Sequence, residues 1–411
     1  MKKSYLILAA VAGLFASCSQ NEDLVKVADE PVMIGFDAFA ENLTRTAITE
    51  GKNLTKTNGG FGVWGYKDPT AAKVTVASGA IDVTTGGTST MQNVFNNVQV
   101  WYEDASTKTQ GYTYEVPKYW DKNQFYAFFA YAPYSAADAS IENTTGKITL
   151  SNIPAKQDLS VSGTTAVNSV NYTTYTQTGT TVTDYLIASC VDNQAIDATN
   201  QSAKSYDGKN LTVGFTFAHI LSQLKVNVKM HQTGADTYKG IKSLKVTSLN
   251  IENLPNNTET ASFKQNAVND VAGTYTPANY TTSLEIIGGT NPTSSADLYL
   301  LAEGAAASGT TPIAAPSHLT QAFLYYLAPN APATSSKYLL NINYTIEYVD
   351  GVVENVTRED IDLSAATANM TQFQQGYIYT LNIDVDLNQI YFTVDAITDW
   401  TNATATDVVV Q

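Results

Sequence analysis

The chain has 411 residues and a formal net charge of −15. It carries no run of Lys or Arg able to hold a phosphate backbone, which excludes nucleic acid as a partner. Charged residues make up 15% and hydrophobic residues 44%, so there is apolar mass for more than one core, and the length predicts two domains. Polarity comes mainly from Thr, Ser, Asn and Gln, and bulk from 25 tyrosines, a mixture suited to half-buried pleated sheet.

Residues 1–17 read as a secretory signal: Lys2 and Lys3, an apolar run from Tyr5 to Phe15, then small residues. Phe15-Ala16-Ser17-Cys18 resembles a bacterial lipobox, with Cys18 the lipidated first residue of the mature chain. An ordinary signal peptide with an incidental Cys18 is the other reading. The apolar run is too short to span a bilayer, so the attachment is an anchor, and residues 18–30 read as its solvated tether. Only Cys190 then remains in the mature chain, and no internal disulfide is expected.

From Pro31 onward the pattern is strand after strand. Val32, Ile34, Phe36 and Ala38 alternate with Met33, Gly35, Asp37 and Phe39. Phe61–Tyr66, Val98–Tyr102, the aromatic block Phe125–Tyr131 and Tyr185–Ala188 follow. Residues 192–210 are polar and aperiodic, a candidate linker. Beyond it Leu211, Val213, Phe215 and Phe217 alternate, then Leu224, Val226, Val228 and Met230 after a phase break near His219. Further strands are predicted at 241–251, 298–302, 322–327 and 338–348, and Tyr377 to Leu387 forms a long ladder. Short strands with polar turns and no βαβ rhythm predict an all-β protein of two β-sandwich domains, residues 31–200 and 201–411.

No catalytic constellation is present. The histidines, His219, His231 and His318, form no zinc-binding pattern, and the Gly-Lys pairs at Gly51, Gly146 and Gly208 lack the Ser or Thr of a P-loop. Ser222-Gln223-Leu224-Lys225 matches Ser-x-x-Lys, but in strand-like sequence without partner motifs. The acidic pairs Glu359-Asp360 and Asp384/Asp386 read as solvated strand faces. No metal and no cofactor is expected.

Several segments resemble the fimbrillins, the subunits of type V pili. These are Tyr119-Trp120 with Phe125–Pro133, Asp184-Tyr185-Leu186-Ile187-Ala188, Phe215 to Leu224 with its Phe-x-His-x-Leu-Ser junction, and the closing Val394 to Trp400. The resemblance implies sandwiches of transthyretin-like, Greek-key topology. It also implies a lipoprotein exported through the periplasm to the outer membrane, where it joins fimbriae. There an N-terminal strand is removed after an arginine and replaced by a strand donated from another pilin subunit. Only Arg45 and Arg358 are arginines. A cut between Arg45 and Thr46 would release the strand carrying Val32, Ile34, Phe36 and Ala38. Ile390, Phe392, Val394 and Ala396 repeat that spacing as a candidate donor strand, and Val408 and Val410 offer a second, shorter set. Equal spacing is common among sheet strands, so a permanent edge strand at 391–400 is the competing reading.

Expected partners are therefore other pilin subunits, the outer-membrane lipid through Cys18 before processing, and a host or glycan ligand. The alternative function is a monomeric glycan-binding surface lipoprotein of a polysaccharide uptake system. Trp64, Trp101, Tyr102, Trp120 and Tyr134 would serve it by stacking on sugars if exposed, although their strand-like setting favours core packing.

Overall fold

The computed structural model describes residues 33–40, 54–68, 75–77, 80–82, 92–103, 111–121, 124–142, 146–154, 156–158, 183–188, 191–195, 212–231, 240–254, 259–265, 271–276, 282–288, 298–302, 320–329, 337–365, 370, 372–387, 389–394 and 398–399. Before residue 200 the strands are β1 (Gly35–Ala40), β2 (Phe61–Asp68), β3 (Thr75–Ala77), β4 (Ala80–Asp82), β5 (Gln92–Glu103), β6 (Gly111–Thr113), β7 (Phe125–Ala132), β8 (Ala139–Glu142), β9 (Lys147–Ile153), β10 (Lys156–Asp158), β11 (Leu186–Ala188) and β12 (Val191–Ala195). After it come β13 (Thr212–His219), β14 (Ser222–Met230), β15 (Ile241–Leu254), β16 (Glu259–Gln265), β17 (Val271–Thr276), β18 (Thr282–Ile287), β19 (Leu298–Ala302) and β20 (Thr320–Leu327). The chain closes with β21 (Leu339–Tyr348), β22 (Val353–Asp362), a 3₁₀ turn at Leu363–Ala365, β23 (Tyr377–Val385), β24 (Ile390–Val394) and β25 (Thr398–Asp399). The architecture is all-β, as the alternation predicts.

An eight-stranded sheet runs β1-β13-β11-β7-β2-β5-β6, with β12 also on β7. Its inner face encloses an aromatic core that includes Phe36, Phe61, Phe95, Trp120, Tyr126, Phe128, Phe215 and Phe217. Its outer face, through Trp64, Phe129 and Tyr131, meets Ile148, Leu150 and Ala261 of a four-stranded sheet, β17-β16-β9-β8. These two sheets form the first lobe. The second is a sandwich of a six-stranded sheet (β10-β20-β14-β23-β24, with β25 on β23) and a five-stranded one (β18-β15-β21-β22, with β19 on β15). Here the period of two is clean: Leu224, Val226, Val228 and Met230 face Leu340, Ile342, Tyr344 and Ile346 across one core.

Strand pairing does not follow the expected division at residue 200. β13 lies in the first lobe between β1 and β11, β16 and β17 pair onward from β9, and β10 from the earlier half pairs with β20. The reason is that alternation reports which face of a strand is buried but carries nothing about which neighbour its backbone will bond. The chain crosses between lobes at Ile220-Leu221, immediately after β13. Ile220 N–H donates to Tyr185 C=O at 3.0 Å, and Gly376 N–H donates to Leu221 C=O at 3.0 Å.

Close packing makes the first lobe intolerant of added volume. A methyl group placed on Gly62 would lie 2.3 Å from the Tyr131 ring. Gly62→Ala should therefore destabilise the protein by about 1–3 kcal/mol in urea unfolding, while leaving the sheet register intact.

Burial also pushes the phenols of Tyr66, Tyr126, Tyr131 and Tyr379 up to about 12, and those of Tyr112 and Tyr326 higher still. Tyrosine in an unfolded chain titrates near ~10, so the native state prefers the neutral phenol. The stability this gives is whole below about pH 10 and is lost as pH climbs toward 12. The share of tyrosinate absorbance that belongs to these six buried phenols, read by replacing them with Phe, should rise together with loss of tertiary circular dichroism, and not before it.

Candidate functional site: the seat of the first strand

β1 is held from both sides. On one flank it pairs in parallel with β13, from Gly35 opposite Thr212 to Ala40 opposite Phe217. On the other, Ile34 N–H donates to Lys118 C=O at 2.8 Å, and Met33 forms an antiparallel bridge with Tyr119. The Tyr114 hydroxyl donates to Ile34 C=O at 2.7 Å, and burial raises the pKa of that phenol. The segment 114–119 follows β6, the strand at the opposite end of the sheet, so β1 occupies the gap between the two ends. Without it, both flanks would present unpaired backbone groups.

The inward side chains of β1 are buried: Ile34 0%, Phe36 5% and Ala38 6% exposed. Phe36 sits among five rings. Phe61, Phe95, Tyr114 and Phe128 meet it edge-on at centroid distances of 6.5, 5.2, 5.6 and 5.9 Å, and Phe215 stacks at 5.9 Å. Edge-on and stacked pairs of this kind add to simple area burial. The Phe36 ring fills the centre of this seat, with Ile34 and Ala38 two positions to either side.

Of the expected displaced strand, Ile34, Phe36 and Ala38 thus line one buried face, while Val32 lies outside the described residues. Cys18, Arg45 and Thr46 lie outside them too, as do Ala396, Val408 and Val410. Ile390, Phe392 and Val394 form β24, the edge strand of the six-stranded sheet, paired antiparallel with β23 from Val385 opposite Ile390 to Leu381 opposite Val394. Phe392 and Val394 are 6% and 1% exposed in the second-lobe core. The competing reading of this segment, an edge strand of its own sheet, describes its position here.

Two of the motif segments meet at the crossing between lobes. Leu186 of β11 pairs opposite His219 of β13, and Asp184 holds His219 Nδ1 at 2.8 Å, both groups being buried. His219 is thus a hydrogen-bonded corner residue. Ser222 donates its hydroxyl to Gln374 C=O at 2.6 Å, and in β14 Ser222 is buried while Lys225 is exposed on the opposite face. The Ser-x-x-Lys pattern therefore brings no nucleophile to a base. Trp64, Trp101 and Trp120 are 2%, 7% and 8% exposed, which makes them core residues and removes them from any sugar-stacking surface. Among the described residues no group of three His, Cys, Asp or Glu could hold a metal ion.

The role of the residues that build the seat opposite β13 went unread in the sequence, where only Tyr119 was noted, as part of a motif. Tyr114, Lys118 and Tyr119 act through one hydroxyl and two backbone groups, and the available signal was the alternation Tyr112-Thr113-Tyr114 stopping before Pro117.

Comparison with solved structures gives matches that cover nearly the whole chain at low identity. A candidate cell adhesion protein of Bacteroides uniformis is 15% identical, with 91% of this chain and 99% of that one covered and a TM-score of 0.37. Another from Bacteroides ovatus is 14% identical, with 91% and 99% covered and a TM-score of 0.35. The C-terminally truncated tip fimbrial protein Mfa3 of Porphyromonas gingivalis is 10% identical, with 90% and 99% covered and a TM-score of 0.30. No curated protein matches the chain. The fimbrillin-like family matches residues 44–400. That match starts beside Arg45, ends at Trp400 and takes in both lobes, and by it the chain belongs to the fimbrillin-like family.

Proposed function

We propose that this protein is a fimbrial subunit that reaches the cell surface as a lipoprotein anchored through Cys18. There it is cut between Arg45 and Thr46 and joins other subunits by exchanging β1 for a donated strand. The observation that carries this reading is the seat of β1. Residues 33–40 continue the anchor-bearing N-terminal segment and are held by the β13 ladder on one flank, by the Ile34–Lys118 bond and the Met33–Tyr119 bridge on the other, and by three inward side chains. Arg45 stands between β1 and β2 in the chain, so cutting there separates this strand from the rest of the first lobe. Losing it exposes an apolar, hydrogen-bond-hungry slot suited to strand addition.

The direction of the strands supports a head-to-tail chain of subunits. β1 begins at the end of the first lobe remote from the crossing, because it runs parallel with β13, which ends at the crossing. β24 begins at the far end of the second lobe: Val385 pairs with both Met230 and Ile390, and β14 runs away from the crossing. Ile390-x-Phe392-x-Val394 repeats the aliphatic-ring-aliphatic order of Ile34-x-Phe36-x-Ala38. A β24 released from β23 would leave one subunit at its far end and enter the next in the direction β1 takes now. Val408 and Val410 match only the aliphatic positions, so β24 is the better donor for a slot keyed by a ring.

The test uses residues 19–411 treated with an Arg-specific protease, followed by size exclusion and an unheated denaturing gel. Cleavage at Arg45 should yield a ladder of SDS-resistant oligomers, and Arg45→Ala should abolish it. A chain that stays monomeric after a clean cut would overturn self-assembly and leave a subunit that only accepts a partner's strand. Resistance to cutting would overturn the processing step.

The ring cage makes a second prediction. A labelled peptide spanning residues 32–40 should exchange into the cut protein, and its Phe36→Val version should be held at least about tenfold more weakly, since truncating a caged ring costs well over 1.4 kcal/mol.

A further inference from the structure

Two groups of large apolar side chains stand exposed among the described residues, and they lie at opposite ends of the molecule. One surrounds the start of β1: Val116 is 62% exposed, Tyr119 47% and Met33 45%. The other caps the β21–β22 hairpin, where Val349, Val352 and Val353 are each 55% exposed. The first lies beyond the Thr212 end of β13, about 25 Å of strand from the crossing. The second lies at the Ile241–Tyr348 end of β15, about 45 Å of strand from Leu254, after which the chain returns to pair with β9 of the first lobe.

The hairpin presents its valines in a fixed geometry. Tyr348 N–H donates to Val352 C=O at 2.8 Å, Gly351 N–H to Tyr348 C=O at 3.0 Å, and Val349 N–H to Gly240 C=O at 2.9 Å. Asp350 Oδ1 accepts from Val352 N–H at 3.0 Å, and Gly351 takes the positive φ of 88° that such a turn requires. Turn chemistry accounts for Asp350 and Gly351. It does not account for three valines at a solvent-facing tip, where polar residues would be as good for folding and better for solubility. The surroundings also differ in sign. Glu347, Asp350 and Glu354 outnumber Lys242 and Lys245 around the hairpin, whereas Lys56 and Lys118 outnumber Glu115 beside Val116 and Tyr119, Glu115 pairing with Lys56 at 3.5 Å.

We infer that the valine hairpin of one copy docks on the Val116–Tyr119 collar of the next, a second contact between subunits that is distinct from the strand slot. The inference rests on the strand-donation reading for its direction. The turn at Asp386–Gln389, from which β24 departs, lies at the hairpin end, since Asp386 and Glu354 both act on the Tyr344 phenol. The collar rims the opening through which an incoming strand passes. A strand leaving one and entering the other brings the two apolar surfaces and their opposite charges together, in a heterologous contact that extends without closing. Met33 leaves with β1, so Val116, Pro117 and Tyr119 are what the hairpin meets. The contact aligns the donor before its strand is threaded.

The test compares Arg-cut chains of residues 19–411. Replacing Val349, Val352 and Val353 together by Thr keeps strand propensity and shape while removing the apolar tip. It should slow oligomer growth about tenfold and leave exchange of the 32–40 peptide unchanged. Lys118→Glu should slow growth in the same way, and Glu354→Lys in the same chain should restore it. In a Cys190→Ser background, Asp350→Cys chains mixed with Glu115→Cys chains should form a disulfide between subunits within the oligomers. Normal growth of the valine variant, or oligomers without that crosslink, would overturn the docking contact and leave strand donation standing. Absence of oligomers in the parent chain would overturn both.

Discussion

The first lobe depends on closing a sheet that cannot close by itself. Seven of its strands wrap an aromatic core but leave a gap between β13 and the segment after β6, and every backbone group on those two flanks needs a partner. β1 supplies the partners and, through Phe36, the ring that completes the cluster of Phe61, Phe95, Tyr114, Phe128 and Phe215. Sheet closure and core completion are therefore one event, performed by a strand at the chain's N-terminal edge. The strand that completes the lobe precedes Arg45 in the chain, and the rest of the lobe follows it.

The described strands of the second lobe leave no such gap. Its two sheets face each other across a continuous aliphatic core, and β24 covers one edge by pairing with β23. Burial of Phe392 and Val394 means that releasing this strand costs the second lobe part of its core. In the proposed exchange the same two side chains would be buried again in a neighbour's slot.

The crossing between the lobes is braced by local hydrogen bonds. The chain turns from β13 into β14 within two residues, and the buried Asp184–His219 pair, the Ser222 hydroxyl on Gln374 and the Gly376 amide on Leu221 secure the turn from both lobes. A buried pair of this sort fixes geometry more than it adds stability. It holds the direction of β13, and hence of the slot beside it, relative to the second lobe.

The all-β class was legible from the sequence because alternation at a period of two is a local property, and Ile34, Phe36 and Ala38, or Leu224 to Met230, bury the side that their alternation marks. The family could be read as well, since its motifs are short, linear and ordered along the chain. The partition of strands between lobes was not legible. The division expected at residue 200 failed for β13, β16 and β10, because backbone hydrogen bonds carry no side-chain signature and neighbours in a sheet can be a hundred residues apart. The flank of the slot escaped for the same reason, Lys118 and Tyr119 contributing only main-chain groups. Which strand sits beside which, and therefore where the slot opens and what rims it, was decided by the tertiary structure alone.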